Sequence, residues 1–154
     1  MQESRVNEAC FNMQADTDTM IRDVTRWKKF YAKTFHTESA LVRPQITCGT
    51  HALALALSAN LRPGDELLSP VGKPYDTLEE VIGIRKSKGS LSEYGITYRQ
   101  VDLLADGTFD YENIKKAIHE KTKLITIQRS KGYQTRPSLF RCTDWTIDLI
   151  CEED

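Results

Sequence analysis

From Ala40 onward the hydrophobic and polar positions alternate between helical and strand patterns. His51 to Asn60 (HALALALSAN) is rich in Ala and Leu, strong helix formers, and stops at Arg62-Pro63-Gly64-Asp65, a turn whose proline cannot continue a helix. Glu66 to Ser69 reads as a short strand closed by Pro70. From Tyr75 to Ile84 the apolar residues Leu78, Val81 and Ile82 fall at the i, i+3, i+4 spacing of one helix face and predict a second helix. A Gly- and Ser-containing stretch, Lys86 to Gly95, leads into Ile96 to Leu103, where Ile96, Tyr98 and Val101 predict a strand interrupted by polar residues. Asp110 is placed to cap a helix with apolar positions Ile114, Ala117 and Ile118, and Leu124 to Ile127 predicts a compact β-branched strand. Strands separated by short helices imply an α/β fold with a mostly parallel sheet and flanking helices.

Composition agrees with that class. The chain has 154 residues, 40% of them hydrophobic and 28% charged, enough to bury a core. Its 21 basic and 22 acidic residues are spread along the chain, so no basic stripe is present to neutralise a nucleic-acid backbone. No apolar run approaches the roughly 20 residues that span a bilayer, and the polar start MQESRVNEAC is unlike a signal peptide, which together predict a cytoplasmic protein with no membrane partner. Cys10, Cys48, Cys142 and Cys151 form no CxxC pair and have no histidine at metal-ligand spacing, so neither a disulfide framework nor a zinc site is expected.

The chemistry-bearing signals are local. Cys48-Gly49-Thr50-His51 is a small-residue turn running directly into the Ala/Leu helix. A helix N-terminus offers N–H groups and the positive end of the macrodipole to an anion, and glycine lets backbone approach it; the same residues also make an ordinary cap. Tyr75, after Gly72-Lys73-Pro74, stands at a strand-to-helix junction, where an aromatic ring can either stack on a planar cofactor or staple the helix to the sheet. Arg129-Ser130-Lys131-Gly132-Tyr133 lies past the last strand, also at a carboxyl end. Lys131 has the amine that imine chemistry needs, but no residue pattern around it marks a desolvated lysine. His36, His51 and His119 are scattered and suggest no catalytic triad.

Two long blocks, ALVRPQITCGTHALALALSANLRPGDELLSPVGKPYDTLEEVIGI and ITYRQVDLLADGTFDYENIKKAIHEKTKLITIQRSKGYQTRPS, resemble the aluminium-resistance, methionine gamma-lyase-like family of fold-type I pyridoxal-phosphate (PLP) enzymes. The resemblance covers roughly residues 36 to 138. It implies part of the large domain of the aspartate-aminotransferase fold, a carbon–sulfur lyase of the cystathionine or methionine type, an amino-acid substrate and a homo-oligomer. Carried over residue by residue, it implies Cys48, Gly49, Thr50 and His51 as the phosphate-binding loop, Tyr75 as the ring that stacks on the cofactor, and Arg129 to Lys131, with Ser130 between them, as the loop beside it. The lysine that carries PLP as a Schiff base and the aspartate that pairs with its pyridine nitrogen lie further along in the family, so Lys131 is not assigned the first role and this chain is expected to be inactive alone.

Two stretches depart from the family. MQADTDTMIRDVTRWKK, Met13 to Lys29, stands where the family has a Gly-Tyr-Gly-Tyr-Asp-Asp pattern. Joining the last base of each codon from Asp16 onward to the first two of the next permits Tyr-Gly-Tyr-Asp-Asp-Thr-Gly-Arg-Asp-Thr-Leu-Glu, so the family motif survives one frame over, with frame restored at Lys28-Lys29. From Arg141 the third frame permits Val-Ala-Gln-Ile-Gly-Gln-Leu-Ile-Ser-Phe-Val-Lys, with apolar residues at helical spacing. These readings divide the chain into residues 1–35, partly out of frame, a partial PLP-binding domain over 36–138, and an aberrant tail over 139–154. Genuine divergence at both ends is the competing explanation. As a whole, a non-catalytic α/β module that binds a phosphorylated ligand at Gly49 to His51 competes with the lyase fragment; a nucleotide-binding domain is disfavoured because neither GxGxxG nor GxxxxGK[ST] occurs.

Overall fold

A computed structural model describes residues 17–43 and 45–129, with side chains described from Thr25 onward. The chain divides into two compact units, Met1–Ala52 and Leu53–Asp154, with the helix Gly49–Asn60 running across the division.

In the first unit, α1 spans Thr17–Phe35. No helix was expected here, yet Trp27, Phe30, Tyr31 and Phe35 recur at helical spacing and form an aromatic ladder, with Trp27 5.9 Å from Phe30 and 5.7 Å from Tyr31 between ring centroids. Trp27 is buried. The helix ends where His36 takes a left-handed φ of 53°, which lets Thr37 N–H reach back to the Ala32 carbonyl at 3.0 Å and satisfy one of the last turn's orphan acceptors. Next, α2 covers Gly49–Asn60, starting two residues before the Ala/Leu run that predicts it.

The second unit carries the sheet. Its turn at Arg62 to Asp65 closes as its Pro-Gly pair demands: Asp65 N–H donates to the Arg62 carbonyl, and the Asp65 carboxylate accepts from Arg62 N–H at 2.6 Å. Strand β1 follows at Glu66–Ser69, then α3 at Asp76–Ile82, a 3-10 turn at Leu91–Tyr94, β2 at Thr97–Gln100, α4 at Tyr111–Ala117 and β3 at Thr122–Ile125. The strand order is β2-β1-β3, and both pairings are parallel. The expected α/β class with a parallel sheet and flanking helices is what the chain forms.

Several boundaries differ from those expected. Helix α3 is shorter than Tyr75 to Ile84 because Gly83, in a left-handed conformation with φ 98°, stops it and donates its N–H back to Glu79. Strand β2, at Thr97–Gln100, is shorter than Ile96 to Leu103, losing Ile96 at one end and Val101 to Leu103 at the other. Strand β3 lies two residues earlier than Leu124 to Ile127, because Thr122, polar and uncounted in an apolar pattern, pairs with Glu66. The cap at Asp110 forms as read, its Oδ1 accepting from Asn113 N–H at 3.1 Å.

Strand β1 is buried along its whole length, as a central parallel strand should be. Register explains the two cores. Leu67, Tyr98 and Leu124 are lateral neighbours and face Leu57, Leu61, Leu78, Ile82, Leu91 and Ile96 on one side of the sheet. Ile125, one position on, faces the opposite side with Val71, Phe109 and Ile114. The sheet therefore has helices against both faces, α3 on one and α4 on the other. Since β1 leads to β2 on one flank and β2 then leads across to β3 on the other, the order in which strands are added reverses between β1 and β3, and the crevice at their carboxyl ends is the place where such folds seat ligands.

Candidate functional site

The loop leaving β1 is stitched to the end of β2. Val101 N–H donates to the Ser69 carbonyl at 2.8 Å, Gly72 N–H donates to the Val101 carbonyl at 2.9 Å, and the Ser69 hydroxyl donates to the Gly72 carbonyl at 2.7 Å. Gly72 is required twice over: its φ is +77°, and a Cβ there would lie 2.8 Å from Asp102 Oδ1. Lys73 turns outward and back, pairing with the buried Glu79 of α3 at 2.9 Å. The loop is thus a short rigid strap.

At its end stands Tyr75, half-buried, immediately before α3. Its carbonyl accepts from Leu78 N–H at 2.9 Å and Glu79 N–H at 3.1 Å, which starts the helix without any side-chain cap. Its own N–H donates across the crevice to Gln128 Oε1 at 2.9 Å. Gln128 follows β3, so this bond joins the carboxyl-end loops of β1 and β3. Arg129, next in the chain, is exposed. Ser130 and Lys131 lie outside the described residues.

A polar chain runs beside the strap. The Tyr98 hydroxyl donates to Gln100 Oε1 at 3.2 Å, and Gln100 Nε2 donates to Asp102 Oδ1 at 3.0 Å. Burial pushes the Tyr98 phenol up to about 12; hydrogen bonding to Ser69 opposes this, while the negative charges of Asp102 and Glu79 add to it. Tyr98 is therefore a neutral donor throughout the physiological range.

The other sequence candidates belong to the first unit and are described by themselves. Cys48 precedes α2 and its carbonyl accepts from Ala52 N–H at 3.0 Å, so the helix is wound from its first turn. His51 turns its ring back, with Nδ1 3.4 Å from both the backbone nitrogen and the hydroxyl of Thr47. Cys48 and Gly49 are exposed, no atom comes within 4 Å of where a Gly49 Cβ would sit, and the first turn of α2 contains no acidic residue. Open space at Gly49, a helix N-terminus and a first turn without an acidic residue suit a phosphate, so these residues fit the phosphate of PLP. In the second unit, Tyr75 stands half-buried at the carboxyl-end loop of β1.

Sequence reasoning missed Gln128, Ser69, Tyr98 and Asp102. Gln128 carries one usable signal, its place just after a β-branched strand, but its partner is 53 residues away and no periodicity connects them. Among the described residues no group of three or more His, Cys, Asp or Glu side chains could hold a metal ion, and no helix is long and apolar enough to cross a membrane.

Comparison with known proteins agrees with this architecture. The chain matches the methionine gamma-lyase family over residues 1–149. It is similar to a carbon-sulfur lyase involved in aluminum resistance from Clostridium novyi NT, with a TM-score of 0.83 and 42% identity over 99% of this chain and 37% of that one. A Bacillus cereus protein superposes with a TM-score of 0.85 at 43% identity, again over 99% of this chain and 38% of that one. YnbB of Bacillus subtilis (strain 168) is 56% identical over 113 residues, which are 72% of this chain and 27% of that protein. The chain thus spans well under half the length of these relatives.

Proposed function

Because the chain belongs to the methionine gamma-lyase family, we propose that it is the cofactor-binding first part of a PLP-dependent, fold-type I carbon–sulfur lyase, cytoplasmic and homo-oligomeric when intact, that acts on a sulfur amino acid. We propose further that these 154 residues alone turn over no substrate. The observation that carries the reading is Tyr75, held at the carboxyl ends of β1 and β3 in a chain of this family.

Bound PLP supplies an electron sink for the charge left when the substrate loses its Cα proton. The protein's own residues have simpler tasks. The first turn of α2, with Cys48, Gly49, Thr50 and His51, would receive the phosphate through its N–H groups and the positive helix end. Tyr75 would stack against the planar ring and would keep water from that face. Arg129, just past β3, would stand beside the cofactor, and Ser130 is expected next to it from the family resemblance alone. The lysine that carries the cofactor and the carboxylate that faces its pyridine nitrogen are expected further along the family's sequence, and the 37–38% coverage of the solved relatives is consistent with that.

Incubation with PLP, borohydride reduction and peptide mapping test the proposal. Diffuse, substoichiometric labelling of surface lysines is expected; one stoichiometric pyridoxyl-lysine, above all at Lys131, overturns the inactivity. A second reading, a non-catalytic module for phosphorylated ligands, is favoured by the open helix start at Gly49, which needs no lysine. It predicts equal affinity for PLP and for a phosphorylated compound with no pyridine ring. The out-of-frame origin of the segments around Met13 to Lys29 and after Leu139 is part of the same proposal, and resequencing the locus tests it: single-base corrections must restore one open frame.

A further inference from the structure

Tyr75 is fixed at every backbone group it has. Pro74 before it is buried and locks its own φ. The Tyr75 carbonyl is committed to two N–H groups of α3, and its N–H to the side chain of Gln128. A loop N–H at the edge of a sheet can be satisfied by water; here it is bonded to a residue in the loop after another strand. Backbone φ/ψ sets the Cα–Cβ direction and limits the staggered rotamers open to a side chain, so what fixes the Tyr75 amide also restricts where its ring can stand.

We propose that Gln128 is a positioning residue: its carboxamide oxygen holds the Tyr75 amide, ties the β1 loop to the β3 loop, and so sets the aromatic wall of the cofactor crevice. The inference rests on the reading of Tyr75 as that wall, but the tie itself is testable without cofactor. An acceptor oxygen at this length is the required chemistry. Gln128→Glu preserves it, whereas Gln128→Met has similar length and no comparable acceptor.

The experiment has two arms, both on the whole chain. In the first, amide exchange at Tyr75 is compared among the wild type, Gln128→Met and Gln128→Glu, with Val101, whose N–H is bonded to Ser69, reporting an intact sheet. Gln128→Met is expected to speed Tyr75 exchange on the order of tenfold with Val101 unchanged, and Gln128→Glu to stay near wild type. Unchanged Tyr75 exchange in Gln128→Met, or equal loss in both variants, overturns the proposal. The second arm measures binding of pyridoxine 5′-phosphate, which has no aldehyde to label lysines. Tyr75→Ala is expected to weaken binding on the order of tenfold, Gln128→Met by several-fold, and Gln128→Met added to Tyr75→Ala by nothing more. Full additivity means that Gln128 acts other than through Tyr75 and overturns the proposal. No effect of Tyr75→Ala overturns the reading of the wall, leaving the exchange arm to judge the tie.

Discussion

Lys73 Nζ lies 2.9 Å from Glu79 Oε2, and the two partners differ sharply in exposure, 52% for the lysine side chain against 9% for the glutamate. The pair fastens the loop that carries Pro74 and Tyr75 to the first turn of α3. Arg85 lies on the same carboxylate at 3.8 Å.

That asymmetry predicts asymmetric mutations. Lys73→Met leaves a buried carboxylate whose other ion-pair partner among the described residues is the more distant Arg85, and is expected to cost about 1–2 kcal/mol, a value kept low because the lysine is half in solvent. Glu79→Leu instead releases two cations that water can solvate, and is expected to cost less than Lys73→Met. Urea unfolding of the two variants decides it; the reverse order means the pair contributes nothing of the kind described.

Gly72→Ala is expected to destabilise by about 1–2 kcal/mol, from the left-handed φ and the crowding of Asp102 together. Gly89→Ala is the control, since Gly89 has a similar φ of +75° but open space where its Cβ would go. Equal losses in the two variants by urea unfolding would show that Asp102 does not press on the strap.

The Tyr98 phenol predicts an alkaline transition with a definite sign. Its folded pKa, about 12, stands above the ordinary 10.0, so the folded state keeps a proton that the unfolded state releases. The stabilisation is fully present below pH 10 and is lost as pH rises through 12. Thermal melts from pH 8 upward should show wild type losing stability faster than Tyr98→Phe across that window, and parallel curves would contradict the burial assigned to this hydroxyl.

Much of the fold was legible because its signals are local. Strand β1 was bounded by a Pro-Gly turn on one side and Pro70 on the other, and both ends fall where those residues put them. Asp110 announced α4 by its own side chain. Strand β3 was displaced because its first residues, Thr122 and Lys123, are polar, and only pairing with Glu66 makes them strand. Helix α1 was missed although Trp27, Phe30 and Tyr31 carry its period. The site divides the same way. Gly49 and Tyr75 were visible as residue types at element junctions, whereas Gln128 becomes significant only when β3 is laid beside β1.

If the proposed function holds, this chain supplies a competent cofactor-binding portion of a carbon–sulfur lyase. A chimera tests it most directly: the Clostridium novyi lyase carrying residues 36–129 of this chain in place of its matching segment. The account predicts that the chimera gains a visible absorption band with PLP and releases a 2-oxo acid from a sulfur amino acid, and that Tyr75→Ala within it weakens the retention of cofactor. A folded chimera with neither band nor product, beside a parent enzyme that shows both, would contradict it.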